Sequence, residues 1–74
     1  MRRLGRAVGH TGGALVVRCA ESTEPVFDAP VYDASLDCLG RTFEFFGPVE
    51  RPYALVETDA RPDSDAKLYL RDDS

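Results

Sequence analysis

The chain has 74 residues, of which 43% are hydrophobic, and a net charge of −4 at pH 7. A chain of this length forms a single domain with a thin core, because it buries only about 60% of the surface that its unfolded form exposes. The longest apolar run, residues 14–17, is too short to cross a bilayer, and the Met-Arg-Arg start leads into no apolar signal core. We therefore expect a cytoplasmic protein, monomeric when isolated, with no membrane partner.

The charged residues are thirteen carboxylates against eight arginines and one lysine. Nucleic-acid-binding proteins gather basic side chains on one face, and we expect no basic stripe in so acidic a chain. The isolated chain should therefore not bind RNA appreciably. A carboxylate excess with almost no lysine is typical of proteins from salt-loving organisms, so the protein is expected to come from a halophile and to gain stability from salt.

The first half of the chain predicts a hairpin, a loop and a short strand. Residues 4–10 are a strand with Leu4 and Val8 on one face, together with Arg6 and His10, and small residues on the other. Gly12 and Gly13 supply the turn, and residues 14–19 form a strand buried on both sides. Residues 20–28 are polar and predict a surface loop held by Phe27. Residues 30–33 form a short strand, which Pro30 confines to an edge or to the start of a strand.

The second half of the chain is organised around residues 39–57. Residues 39–46 are rich in aromatic side chains and residues 53–57 in apolar ones, so both segments predict strands. Pro48 and Pro52 cannot donate a backbone hydrogen bond, so the segment between the strands should leave the sheet as a stiff, outward loop. Such a loop suits contact with a partner, although a simple wide turn remains the alternative.

Residues 66–71 predict a sixth strand, and no apolar pattern at helical spacing persists for three turns. Six short strands without a helix favour an all-β fold closed into a small barrel, since closure removes exposed strand edges. We expect one barrel domain over residues 1–74, with residues 1–3 and 72–74 as short tails. Cys19 and Cys38 are expected to be small buried side chains, with a disulfide between them left open.

Catalytic and metal-binding patterns are absent from the sequence. His10, Cys19 and Asp33 lack any accompanying nucleophile motif, and His10 is better explained as a structural residue. The aspartates at 59, 63 and 65 lack the glycine and glutamate of a calcium loop. We therefore expect a non-enzymatic protein without a cofactor or a metal.

Four segments resemble the archaeal Gar-type subunit of H/ACA ribonucleoproteins, which carry out RNA-guided pseudouridylation. They read LGRAVGHTGGALVVR, PVYD, LGRTFEFFGPVERPYALV and LYL, and the resemblance spans residues 2–71. It implies a six-stranded barrel related to the reductase, isomerase and elongation-factor barrels. It also implies an accessory subunit that docks on the catalytic domain of the pseudouridine synthase, assists substrate loading and product release, and reaches the guide RNA only indirectly.

The most specific part of the resemblance is the central motif, whose residues are expected to bind the synthase: Phe46, Gly47, Pro48, Val49, Pro52 and Tyr53. The chain departs from the family near Asp65, where a glycine usually precedes the last strand, and it carries no basic or glycine-arginine tail. Two alternatives stay open. The chain could be a small barrel domain of a translation or ribosome-assembly factor, and Tyr53 could plug the end of the barrel.

Overall fold

The structure, a computed structural model, describes residues 2–21 and 24–71. Within these residues there is no helix, and all strand pairs are antiparallel. The strands close into a barrel in the order β1-β2-β5-β4-β3-β6. The predicted all-β, six-stranded barrel is therefore confirmed. The strands are β1 (Arg2–Thr11), β2 (Ala14–Cys19), β3 (Pro30–Tyr32), β4 (Cys38–Phe46), β5 (Tyr53–Glu57) and β6 (Lys67–Leu70).

The chain enters the barrel earlier than the sequence indicated. β1 begins at Arg2, which pairs with Leu70 of β6, so the prediction that residues 1–3 form a tail is wrong for residues 2 and 3. The predicted tail at residues 72–74 lies outside the described residues. The β1–β2 turn is as predicted, because Gly12 and Gly13 both have positive φ, 53° and 83°.

Two irregularities in β1 change which residues face the core. The register of β1 shifts against β6 between Arg3 and Gly5, and against β2 between Ala7 and Gly9. A bulge adds one unpaired residue and thereby breaks the strict alternation of faces. Leu4 is consequently buried whereas Val8 is half exposed, so the prediction that these two residues share one face is wrong.

The interior of the barrel is filled by aliphatic side chains. The fully buried ones include Leu4, Leu15, Val17, Val31, Val56, Leu68 and Leu70. In β2, Leu15, Val17 and Cys19 are buried on one face, whereas the other face runs from buried Ala14 through partly buried Val16 to exposed Arg18. The prediction that β2 is buried on both sides therefore holds at the start of the strand and is wrong at Arg18. One face of every strand must line the interior of a closed barrel, which leaves the other face on the surface.

The two cysteines have different environments and are both free thiols. Cys19 is buried, as predicted, and its burial raises the pKa of the thiol from 9.0 to about 11. Cys38 lies exposed at the start of β4, so the prediction that it is buried is wrong. β4 begins there because Cys38 pairs with Tyr32 at the open end of a short β3.

The turn before β6 keeps glycine-like geometry without a glycine. Asp65 has φ 67°, and its amide donates to the carbonyl oxygen of Ala7 at 2.8 Å. Aspartate tolerates this left-handed conformation better than most residues do. A turn with glycine-like geometry therefore forms at Asp65 without a glycine.

No helix among the described residues is long and apolar enough to span a membrane.

Candidate docking surface

The central loop, residues 47–52, leaves the barrel between β4 and β5. Gly47 has φ 94°, a conformation that other residues rarely adopt, and it turns the chain outward directly after β4. The amide of Arg51 donates to the carbonyl oxygen of Pro48 at 3.2 Å, which closes a four-residue turn. Val49 lies at the tip and is 89% exposed. The loop thus holds an apolar side chain in solvent in a fixed position.

The two ends of the loop are braced by stacked aromatic rings. Phe46 and Tyr53 lie opposite each other in the β4–β5 register, and their ring centroids are 5.5 Å apart with planes 17° from parallel. A Cβ at Gly47 would lie only 3.2 Å from Cδ1 of Tyr53, so the tyrosine ring also covers this glycine. Stacked pairs of this kind add about 0.5–1.5 kcal/mol beyond the area that they bury.

Tyr53 lies on the outer surface of the barrel. Ala54 and Val56 of β5 are fully buried and therefore face the interior. Side chains alternate between the two faces of a strand, so Tyr53 faces outward. The alternative in which Tyr53 plugs the barrel end is therefore wrong.

Pro52 fixes the end of the loop that leads into β5. Its ring is buried, and its carbonyl oxygen accepts a hydrogen bond of 2.9 Å from the amide of Cys19, at the end of β2. Proline also restricts the loop backbone before any partner arrives. The loop is therefore held at one end by Pro52 and at the other by the conformation of Gly47.

A cavity of about 490 Å³ opens beside the loop, and we call it the apolar groove. Its lining combines the central loop and the end of β4 with two residues of the β2–β3 connection: Glu24, Pro25, Phe45, Phe46, Gly47, Pro48, Val49, Glu50 and Pro52. Five of the six predicted site residues thus line one groove. Tyr53, the sixth, is not part of the lining but stacks on Phe46. Glu24 and Glu50 supply its charge, and no basic side chain lines it within the described part of the chain.

Sequence reasoning missed the second wall of the groove, which the β2–β3 connection supplies. Buried Thr42 holds this connection, since its hydroxyl donates to the carbonyl oxygen of Val26 and accepts from the amide of Ala29 at 3.0 Å. Phe27 adds an edge-to-face contact with Phe45 at 5.3 Å, as the prediction that it holds the loop requires, although its side chain is largely exposed. The sequence feature that indicates this contact is Thr42 itself, a polar residue among the aromatic residues of β4.

The strand register also brings basic side chains together, so the expectation that the chain has no basic stripe is wrong. Arg6 lies opposite both Lys67 and Arg18, and Arg18 lies opposite Tyr53. These positions are far apart in sequence, and the pattern appears only once the strands are paired. This line of directly opposed residues continues to Phe46, which lies opposite Tyr53.

The residues considered for catalysis are kept apart. His10 pairs with Leu15 and Cys19 pairs with Gly5, which separates them by about 13 Å along the strands. Nε2 of His10 lies 3.1 Å from the carbonyl oxygen of Thr58, and Oδ1 of Asp33 accepts hydrogen bonds within its own turn. No group of three potential metal ligands occurs in residues 2–21 and 24–71.

Comparison of the chain with protein-family models and with curated proteins gives no match.

Proposed function

We propose that the protein is a non-catalytic accessory subunit of an H/ACA ribonucleoprotein that docks on the catalytic domain of the pseudouridine synthase. In this role it assists substrate loading and product release during RNA-guided pseudouridylation of ribosomal RNA. The observation that carries the proposal is the apolar groove, in which five of the six motif residues meet beside an apolar tip held in solvent.

The exposed apolar side chains at this end of the barrel support a protein partner. Val49 is 89% exposed and Phe46 is 46% exposed, and both line the groove. Contiguous apolar surface of this kind marks interaction sites on soluble domains. A partner side chain that fills the groove would remove both residues from water and would also bury the face of Pro48.

The loop is arranged before binding, which lowers the entropy that docking costs. The turn from Pro48 to Arg51, the buried Pro52 and the Phe46–Tyr53 stack restrict the backbone and the rings in the free protein. Association normally costs about 0.5–1.5 kcal/mol for each flexible side chain that becomes fixed. A pre-set loop avoids much of that cost, so a small surface can still give useful affinity.

The charges around the groove define the chemistry of the docking segment. Glu24 lies on one wall and Glu50 on the other, in a cavity that is otherwise apolar. Complementary charge across an interface favours the correct partner and speeds association. We expect the synthase to insert an apolar side chain flanked by lysine or arginine.

A subunit without catalytic groups can still raise turnover of its partner. A ligand shifts a conformational equilibrium only as far as its affinities for the two conformations differ. Docking of the loop on one conformation of the synthase catalytic domain would favour that conformation during loading or release. The subunit would then change the rate of these steps without touching the uridine.

The first experiment measures binding of the purified synthase to Val49→Asp. We expect at least a tenfold loss of affinity, because a carboxylate would be forced into an apolar contact. Leu36→Asp is the matched control, since Leu36 is also an exposed apolar residue and has φ 69°, which aspartate tolerates. It lies in the connection before β4, at the other end of that strand from the central loop. Equal affinities for both variants would contradict docking through the loop.

The second experiment identifies the partner by affinity capture from the source organism with the wild-type chain and the Val49→Asp variant. The proposal requires that the wild-type chain recovers the synthase and that the variant does not. Recovery of ribosomal proteins in place of the synthase would instead support a domain of a translation or ribosome-assembly factor.

A further inference from the structure

The outer face of the barrel carries a continuous line of cationic and aromatic side chains, which we call the basic–aromatic row. It crosses five adjacent strands in the order Lys67, Arg6, Arg18, Tyr53 and Phe46. Directly opposed residues on antiparallel strands point to the same face of the sheet. With strands about 4.8 Å apart, the row extends over roughly 19 Å.

The basic end of the row opens into another cavity, an arginine groove of about 620 Å³. Four arginines line this groove, Arg3, Arg6, Arg18 and Arg51, against the two carboxylates of Glu21 and Asp65. Half of all the arginines in an acidic chain therefore meet at one site. Close clustering of like charges is unfavourable in the free protein, and an anion in the groove would relieve it.

The guanidinium groups of these four arginines have no polar partner among the residues that the structure describes. All four arginines are exposed, and none of them forms an ion pair or a side-chain hydrogen bond with another described residue. Arg41 shows the contrast, because its side chain donates to the carbonyl oxygen of Asp28 at 2.9 Å. The planar donors of the arginine groove thus remain available for oxygen atoms of a ligand, and arginine is especially suited to phosphate.

The aromatic end of the row distinguishes between the anionic polymers that could bind. An acidic peptide would use the arginines but would gain little from the Tyr53 and Phe46 rings. A single-stranded nucleic acid uses both, because its phosphates pair with basic side chains while its bases stack on aromatic ones, at about 1–3 kcal/mol per base. Stacking is also less sensitive to salt than phosphate contacts are.

We infer that the basic–aromatic row and the arginine groove bind single-stranded nucleic acid, with phosphates at Lys67, Arg6 and Arg18 and a base at Tyr53. This inference goes beyond the proposed function, in which the guide RNA is reached only through the synthase. The row thus offers three sites for phosphates, one at each of its cations. The net charge of −4 repels a nucleic acid at long range, whereas the row attracts its phosphates at short range.

The test uses fluorescence anisotropy of a labelled twelve-nucleotide oligouridine RNA with the isolated full chain in 50 mM salt. We expect saturable binding that weakens about 100-fold between 50 and 500 mM salt, since three phosphate contacts give a logarithmic slope of about −2. The variant R6E/R18E should weaken binding by at least tenfold and flatten the salt dependence. R6Q/R18Q should give a smaller loss in the same direction.

The matched control is R2E/R61E, which changes the net charge by the same amount at two exposed arginines outside the groove. Far-UV circular dichroism confirms that each variant retains its β structure. The inference is overturned if the wild-type chain shows no binding at 100 µM protein, or if both double variants lose affinity equally. It is also overturned if a glutamate-rich peptide displaces the probe at lower concentration than unlabelled RNA does. None of these measurements requires the synthase, so they can fail while the proposed docking stands.

Discussion

The close approach of β1 and β2 makes Gly5 one of two described glycines, with Gly40, at which an added Cβ would overlap a backbone carbonyl oxygen. Gly5 is buried and pairs with Cys19, and a Cβ added to it would overlap the carbonyl oxygen of Arg18. The same Cβ would lie 2.7 Å from Cα of Cys19, well inside ordinary van der Waals contact. These atoms belong to the backbone, so no side-chain rotation can relieve the overlap, and Gly5→Ala must push the strands apart.

The expected cost of Gly5→Ala is about 3 kcal/mol or more, the upper end of the usual range for overpacked cores. A domain of this length has a total stability of roughly 4–11 kcal/mol, taking about 0.05–0.15 kcal/mol per residue. The substitution should therefore remove a large share of the total. At about 4–8 °C per kcal/mol, the melting temperature should fall by roughly 12–24 °C.

Gly9→Ala in the same strand is the matched control. A Cβ at Gly9 would meet nothing within 4 Å, and its φ is outside the left-handed region. Alanine there should leave stability unchanged or raise it by about 0.4–1 kcal/mol, because the unfolded chain loses freedom. Urea unfolding followed by circular dichroism gives both free energies of unfolding. Similar values for the two variants would refute the close approach of β1 and β2.

Three further predictions concern pH, salt and the last turn. Burial raises the folded-state pKa of Cys19 from 9.0 to about 11, so the neutral thiol stabilises the fold fully below pH 9. As the pH rises from 9 to 11 this contribution is lost, and the free energy of unfolding falls by up to about 1.4 kcal/mol for each pH unit. Urea midpoints at pH 8 and 10.5 measure this loss, and an equal loss in Cys19→Ala would exclude the thiol as its cause. The excess of carboxylates predicts that the melting temperature rises between dilute buffer and molar potassium chloride, and a constant or falling value would contradict self-repulsion. At Asp65, whose φ is 67°, we expect Gly to be tolerated and Val to cost about 1–2 kcal/mol in thermal unfolding, whereas equal losses would argue against a left-handed turn.

The parts of the fold that sequence alone predicted are those governed by local chemistry. β5 was predicted with its observed bounds, since Pro52 interrupts pairing before it and its apolar residues suit a half-buried strand. The Gly12-Gly13 turn was predicted because two adjacent positive φ values favour glycine. The outward course of the central loop followed from its two prolines.

The remaining features depend on which strands meet, and local chemistry does not specify that. The bulges of β1 arise from its register against β2 and β6, so the exposure of Val8 could not be deduced from alternation. The second wall of the apolar groove rests on hydrogen bonds between Thr42 and two residues of the β2–β3 connection, Val26 and Ala29, which are far from it in sequence. The basic–aromatic row likewise combines residues from five strands, and it can be recognised only after the strand pairing is known.

The most direct test of the proposed docking is a calorimetric titration of the pseudouridine synthase with the wild-type chain and with Tyr53→Ala. Tyr53 braces the loop by stacking on Phe46 from the outer face of the barrel, so its removal should weaken binding by roughly 2 kcal/mol or more, the scale of an interface hot spot. Glu50→Ala and Arg51→Ala, at the exposed rim, should each cost well under half of that. Unchanged affinity of Tyr53→Ala, with its β spectrum intact, would remove the central loop from the interface and contradict the proposal.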